Sequence, residues 1–397
     1  MSLTIGEVAQ ALGVSKGTVS RAITGKGRIA DATKARIVEY MKAHDFLPNA
    51  AAQNLSTRKT MTIAYTVPTD RGLTHLSFFL QALIGAIEQA MAHSYDILTV
   101  SNTTAAVKRL VAQRKVDAVI VSRDPRRSQM FDYLRAADLP FVLIGPTAHP
   151  GVVRIDHDHR AACREFTAAV LRQWSGRAGL LVGPWSDLVS QARFDGFSQA
   201  LGVTSAVVGE GGESAVSGLT HAGGAAPVAW GAVDEESVVR GFTQLIDAGA
   251  DIVFCGDDRI CGHLESAILT GRLPASTRSV RVASYHGSAS LEALNPQVPA
   301  LRFDSAALGS AAFSLLLDRI GGKDVSDVTI GYEIVLGDRD GRLAAACGHP
   351  VQGPLSTDPV PPGPPLSDPN KLSLVSPQES PQTEAVPSAD SDESPLE

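Results

Sequence analysis

Two clusters of side chains carry most of the chemistry this sequence offers. The first runs from Ser15 to Arg21, where hydroxyls (Ser15, Thr18, Ser20), an ammonium (Lys16) and a guanidinium (Arg21) surround a bare Gly17. Val19 and Ile23, four residues apart, give the stretch one apolar helical face, so the polar set points outward. A short helix with small, polar and basic residues on its exposed face suits the DNA major groove, where base edges present donor and acceptor patterns that such side chains read. The second cluster is Asp156-His157-Asp158-His159, residue types that ligate metals. A strand end followed by a helix start, with Asp158 against the helix dipole, accounts for it more simply, and neither a metal nor another cofactor is expected.

The elements that must hold the first cluster are legible around it. Thr4-x-x-Glu7 is a capping box that starts a helix at Ile5, with Ile5, Val8, Ala9 and Leu12 as its apolar stripe. Gly13 permits a sharp turn and Ser15 caps the second helix. A third helix falls within KARIVEYMKAHDF, with Ile37, Val38 and Met41 inward. Pro48-Asn49 and the Ala-rich segment AAAQNLSTRK then lead directly to a strand-like run. The whole reads as a helix-turn-helix.

Charge supports this assignment. The chain of 397 residues carries a formal net charge of -7, but nine of the first 60 residues are Lys or Arg against four acids, while the stretch from residue 351 has eight acids and only Lys371. Acidity lying away from a basic head is the asymmetry of a DNA-binding domain with appended modules. The length asks for more than one core. Cys163, Cys255, Cys261 and Cys347 lack C-x-x-C spacing, which argues against a zinc knuckle or a disulfide framework and for reduced, mostly buried thiols. The opening MSLTIGEVAQ has no signal-peptide pattern, and no run approaches the roughly 18 apolar residues of a membrane span. A cytoplasmic chain with no membrane partner is expected.

From about Met61 to Gly348 short apolar runs (MTIAYTV, YDILTV, VDAVIVS, FVLIG, AGLLVG, DIVFC, VRVASY) alternate with helical stretches (SFFLQALIGAIEQAMAH, AACREFTAAVLRQW, SAALGSAAFSLLLDRI). Such alternation implies parallel sheets covered by helices, and its length suggests two sheets. Residues 349–397, rich in Pro, Ser, Asp and Glu, are expected to be a disordered acidic tail with no coiled-coil heptads.

The segment from Thr4 to Pro68 resembles, almost position by position, the head of the lactose-repressor (LacI/GalR) family of bacterial regulators. The V-A-x-x-x-G-V-S-x-x-T-V-S-R pattern, the F-x-P-N-x-x-A elbow and the following strand appear in order. A looser likeness continues to about Gly348 through D-G-F at Asp195 to Phe197, D-D at Asp257-Asp258 and A-L-G at Ala307 to Gly309. The resemblance implies an α/β fold class: a helix-turn-helix domain (1–48), a hinge helix and linker (49–60), and a periplasmic-binding-protein-like (type I) sensor and dimerisation body (61–348). Its two lobes are expected at about 61–157 with 304–322, and about 158–300 with 323–348.

It further implies that Thr4, Ser15, Lys16, Gly17, Thr18, Ser20 and Arg21 meet DNA, Lys16 and Gly17 at the positions that choose operator bases. Gly17 departs from the pattern, since it offers no side chain to a base and weakens the helix. Asn49, Ala52 and Leu55 match the hinge, where two copies meet over the minor groove and Leu55 wedges between base pairs. Nine residues are too few to be helical alone, so this hinge is expected to fold only with DNA and partner. The implied partners are a pseudo-palindromic double-stranded operator, a second copy of the chain and a small effector.

In the body, Arg193 matches the family's effector-binding arginine. His286 stands where a sugar-binding aspartate is common, and Asp258 follows the usual N-D position; a histidine facing Arg193 would favour an acidic or phosphorylated ligand. Asp70, Phe79, Trp185, Trp230 and Phe303 are candidate cleft-wall residues, aromatic rings being suited to sugar faces. The expected function is a DNA-binding repressor controlled by a sugar or sugar derivative. The alternatives are a regulator whose altered cleft no longer senses a sugar, and a solute carrier or enzyme on the same body. The basic head opposes the carrier, and no phosphate loop, nucleophile elbow or acid/base pair supports an enzyme.

Overall fold

The computed structural model describes residues 3–24, 27–44, 46, 59–69, 76–125, 129–203, 205–206, 216–221, 224–274, 277 and 279–336. The hinge residues Asn49, Ala52 and Leu55, together with Asp70 and the segment 349–397, lie outside them.

Three helices form the head: α1 (Ile5–Leu12), α2 (Lys16–Thr24) and α3 (Asp31–Ala43). The capping box closes as its spacing demands, with Glu7 N donating to Thr4 Oγ1 at 3.3 Å and Thr4 N to Glu7 Oε2 at 2.7 Å. The Thr4 N–H and the Thr4 hydroxyl both donate to the Glu7 carboxylate and hold it below the usual carboxylate value. Gly13 takes φ 67°, a left-handed turn that a side chain would strain, and Ser15 Oγ accepts from Thr18 N at 3.0 Å to start α2. Val8, Ala9, Val19, Ala22, Ile37 and Phe46 pack as one core. Val38, expected inward, is 37% exposed. It lies about 100° around the helix from Ile37, and Tyr40 and Met41 fill the inward face instead.

In the body, strands β1 (Thr62–Val67), β2 (Asp96–Ser101), β3 (Ala118–Val121), β4 (Phe141–Ile144) and β5 (Arg154–His157) alternate with α4 (Leu76–Ala92), α5 (Thr104–Ala112) and α6 (Met130–Ala136). The chain then builds a second layer from α7 (His159–Gln173), β6 (Ala178–Leu181), α8 (Leu188–Ala200), β7 (Ser205–Ala206), β8 (Val216–His221) and β9 (Gly224–Ala229). It continues through α9 (Glu235–Asp247), β10 (Ile252–Cys255), α10 (Asp258–Leu269), β11 (Arg281–Ser284), α11 (Ala289–Leu294) and β12 (Ala300–Phe303). Finally α12 (Ser305–Ile320), β13 (Val328–Ile330) and β14 (Tyr332–Val335) return across both layers.

The first sheet is six-stranded in the order β13-β5-β4-β3-β1-β2 and wholly parallel. Its strands β3 and β4 are buried along their whole length, as the continuous apolar runs require. The second sheet has eight strands in the order β14-β12-β11-β10-β6-β9-β8-β7. It is not the parallel sheet expected from the alternation: β7, β8 and β9 pair antiparallel, as do β12 and β14. The antiparallel pairs lie toward the two edges of the sheet, and the consecutive strands β8 and β9 are only two residues apart, a connection that needs no crossover helix.

The chain passes between sheets after β5, after β12 and between β13 and β14. One expected boundary is therefore corrected. Val328–Ile330, expected in the second lobe, pairs in parallel with β5 in the first sheet, and only β14 joins the second. Helix α12 lies against α4 with no room for side chains between their backbones. A Cβ on Gly309 would fall 1.7 Å from the Ala82 carbonyl oxygen, and one on Gly85 2.0 Å from that of Ala306.

Candidate functional site

On the head, the exposed residues of α2 are those its periodicity places outward. Lys16, Gly17 and Arg21 are exposed, Thr18 and Ser20 half-buried, and Val19 and Ala22 buried between them. Two hydroxyls of the expected reading face are engaged locally: Ser15 Oγ and Thr18 Oγ1 are 2.9 Å apart. The Thr4 hydroxyl likewise belongs to its cap. The freely presented chemistry is thus the Lys16 ammonium, the bare backbone at Gly17 and the Arg21 guanidinium, a basic strip on one helix.

In the body, the C-terminal ends of both sheets open on one cavity of about 280 Å³. Ser122 to Asp124 follow β3, Gly145 and Pro146 follow β4, and Asp156 and His157 end β5; opposite them stand Gly183 after β6, Asp257 after β10, His286 after β11 and Phe303 at the end of β12. Carboxyl ends of parallel strands, at the point where strand order reverses, are where open α/β sheets take ligands. Phe78, Phe79, Ile144, Val189, Val233 and Phe303 supply apolar wall.

Most polar groups in the wall are already engaged. Asp187 caps α8, accepting from Ser190 N and Oγ at 2.9 Å each. Asp257 caps α10, accepting from Ile260 N at 3.0 Å, and pairs with Arg259 at 3.5 Å. Arg259 also donates to the carbonyls of Ala232 and Val233, and Asp124 Oδ2 accepts from Thr147 Oγ1 at 2.5 Å. Arg193 differs. Only 6% exposed and held by α8 inside the cavity wall, it has no ion pair or hydrogen bond to any described residue, and its Nε is buried without a partner. A guanidinium has five N–H groups, and a buried donor left unpaired is costly, so Arg193 has capacity for an acceptor that enters the cavity.

Of the expected effector residues, Phe79, Arg193, His286 and Phe303 come together in the cavity wall. Asp258 stands just behind it, its Oδ1 3.1 Å from His286 Nδ1. This pairing offsets the positive charge that His286 was expected to add opposite Arg193. Trp185 and Trp230 do not line the cavity. Trp185 is 41% exposed, and the two indoles meet at 4.9 Å in an aromatic cluster with Phe194. The Asp156 to His159 cluster lies at the lobe crossing, with Asp156, His157 and His159 in the cavity wall and Asp158 capping α7 through Ala161 N at 2.9 Å. Burial pushes the Asp156 carboxyl up to about 7, opposed by the His157 N–H it accepts at 2.8 Å. Among the described residues no three His, Cys, Asp or Glu side chains converge as a metal site. Asp124, Asp187, Ser190 and Arg259 escaped the sequence reading, although each sits just past a strand's carboxyl end, a position the strand assignments already exposed.

Head and cavity together define a helix-turn-helix protein with a two-lobed α/β ligand-cavity body. Residues 4–49 match the model of the family described as bacterial regulatory proteins, lacI family, and the head is a lacI-family helix-turn-helix domain. The HTH-type transcriptional regulator AglR of Rhizobium meliloti (strain 1021) is 29% identical over 210 residues, a match that covers 51% of this chain and spans only 58% of AglR. The lac repressor dimer bound to operator and the anti-inducer ONPF superposes with a TM-score of 0.66 at 18% identity, covering 87% of this chain and all of that one. The CelR–cellobiose complex gives a TM-score of 0.55 at 21% identity over 84% of this chain and 98% of the other. The body therefore has the two-lobed fold of these regulators. No described helix is long and apolar enough to cross a membrane.

Proposed function

We propose that the chain is a sequence-specific DNA-binding transcriptional repressor, acting in the cytoplasm as a homodimer on a pseudo-palindromic operator. A sugar or sugar derivative bound between the lobes sets its grip on DNA. The observation that carries this reading is the pairing, in one chain, of an exposed Lys16–Arg21 strip on α2 with a cavity wall that holds Arg193, its buried Nε without an acceptor among the described residues. AglR is a transcriptional regulator, and the transcriptional regulator CelR forms a complex with cellobiose; both support the reading. Lys16 selects operator bases and Arg21 holds phosphate. A cleft that no longer senses ligand is disfavoured, because such a cleft has no need to keep a guanidinium buried and unpaired.

Selection of operator sequences from a random DNA library by the full-length chain tests the first half. A two-fold symmetric consensus is expected. Arg21→Ala should weaken binding to all sequences alike and reduce the slope of log affinity against log salt by about one. An unchanged slope and affinity would place the DNA contact elsewhere.

A further inference from the structure

His157 ends β5 at the first crossing between the lobes, lines the cavity and is 3% exposed. Its Nδ1 lies 2.9 Å from the carbonyl oxygen of Ile330, at the end of β13, where the chain makes its third crossing. A carbonyl only accepts, so Nδ1 carries the hydrogen of the neutral ring and Nε2 keeps a lone pair. That Nε2 is buried and meets no hydrogen-bond partner among the described residues. The ring is clamped by Phe303 of the second crossing, 4.6 Å between centroids, and by His159 at 6.0 Å. All three crossings thus converge on one imidazole whose tautomer the backbone dictates and whose remaining edge is an acceptor.

The charged groups around it come from every adjoining element. Arg154 and Asp156 share its strand, Asp158 and His159 open α7, Asp327 precedes β13, and Asp304 precedes α12. His286 follows β11 and is bonded to Asp258 of α10. Burial dominates and holds the His157 imidazole below the usual histidine value; the backbone of Ile330 and of Gly331 opposes it, as does Asp304, while His286 acts in the same sense as burial. The ring is therefore neutral near neutral pH.

We propose that His157 is a specificity-determining residue of the cavity, its Nε2 accepting a hydrogen bond from an un-ionised donor group of the effector, a hydroxyl or an N–H. This rests on the reading of the cavity as the effector site. A lone pair repels an ionised phosphate or carboxylate, so such groups are excluded from that position, whatever meets Arg193 elsewhere in the cavity. Protonation turns Nε2 into a donor and removes the acceptor, so acid releases the effector.

The test uses the full-length chain labelled with ¹⁵N-histidine, and the signal lost in His157→Phe assigns His157. At neutral pH its Nε2 should resonate as an unprotonated nitrogen. A pool of glucose, galactose, cellobiose and maltose, or one of gluconate, glucuronate and glucose 6-phosphate, should raise Tm, and whichever does should shift that signal through a hydroxyl. The Tm gain should fade in the wild type as pH falls below the ordinary histidine range but persist in His157→Gln, whose amide oxygen accepts without titrating. In His157→Phe the active sugar should bind about fivefold more weakly. A protonated Nε2 at neutral pH overturns the proposal. A Tm gain that leaves Nε2 unmoved overturns the role of His157 alone, and no Tm gain with either pool overturns the effector-site reading with it.

Discussion

Replacing Arg193 with Met separates packing from the ligand binding proposed for this buried cation. Met keeps an unbranched stem for the packing against α8's neighbours but removes the guanidinium. In the ligand-free protein Arg193 has a buried Nε without a partner, and an unsatisfied buried donor costs about 1–3 kcal/mol. The variant should therefore be more stable than the wild type, and at about 2–4 °C per kcal/mol for a body of this size its Tm should rise by about 2–12 °C. Ligand narrows that gap. At about a hundred times Kd the wild type gains about 2.7 kcal/mol by mass action. Losing charge-assisted hydrogen bonds worth about 1.5–3 kcal/mol weakens binding about 10- to 100-fold, leaving the variant about 0.4–1.4 kcal/mol at the same concentration. Thermal melts of both proteins, with and without the sugar that raises the wild-type Tm, should show the larger ligand shift in the wild type. A ligand-free variant less stable than the wild type would show that Arg193 is already satisfied within the fold, and an equal ligand shift would remove it from the site.

Two further perturbations probe the body that holds the cavity. Gly309→Ala places a methyl where the Ala82 carbonyl stands, so α4 and α12 must separate; urea unfolding should show a loss of at least about 1–3 kcal/mol, and an unchanged midpoint would mean that the two backbones do not meet so closely. Asp156→Asn tests the buried carboxyl, whose folded-state value stands at about 7 against an ordinary 3.8. The folded protein binds this proton more tightly than the unfolded chain, so stability is undiminished below about pH 4 and falls as pH rises to about 7, by a few kcal/mol at most. Asn cannot ionise and escapes that loss. The variant's advantage should grow between about pH 4 and about pH 7 in urea titrations, and parallel curves would refute a raised Asp156.

The head was legible because its signals are local. Thr4 and Glu7 are three residues apart, and the bonds they form are fixed by that spacing. The inner strands β1, β3 and β4 of the first sheet were legible because they are buried on both faces and so read as unbroken apolar runs. The edge of the second sheet was not. VSGLTH and GAAPVA form an antiparallel pair but contain too little apolar alternation to stand out from loop sequence. Val328–Ile330 was misplaced for a related reason: a three-residue strand has no pattern of its own, and only its pairing with β5 assigns it. Trp185 and Trp230 were drawn into the cleft by residue type alone, whereas their rings are engaged with each other and with Phe194.

The cavity's charge could have been read further than it was, and the reason lies in sheet register. Cys255 of β10 stands opposite Ser284 of the neighbouring parallel strand β11. Asp258 follows three residues after the first, and His286 two after the second, so both leave the sheet at the same end and side by side. Parallel neighbours carry their following residues to a common edge, and an acid there is the natural partner of an imidazole. Treating His286 as a lone substitution for an aspartate therefore suggested an acidic ligand, whereas the register supplies it with a carboxylate at 3.1 Å. With that charge offset, the cavity-wall atoms buried without a hydrogen-bond partner among the described residues include Ser122 Oγ, Arg193 Nε, Arg259 Nε and His157 Nε2. A molecule that accepts at Arg193 and donates an un-ionised hydroxyl or N–H at His157 engages those two together.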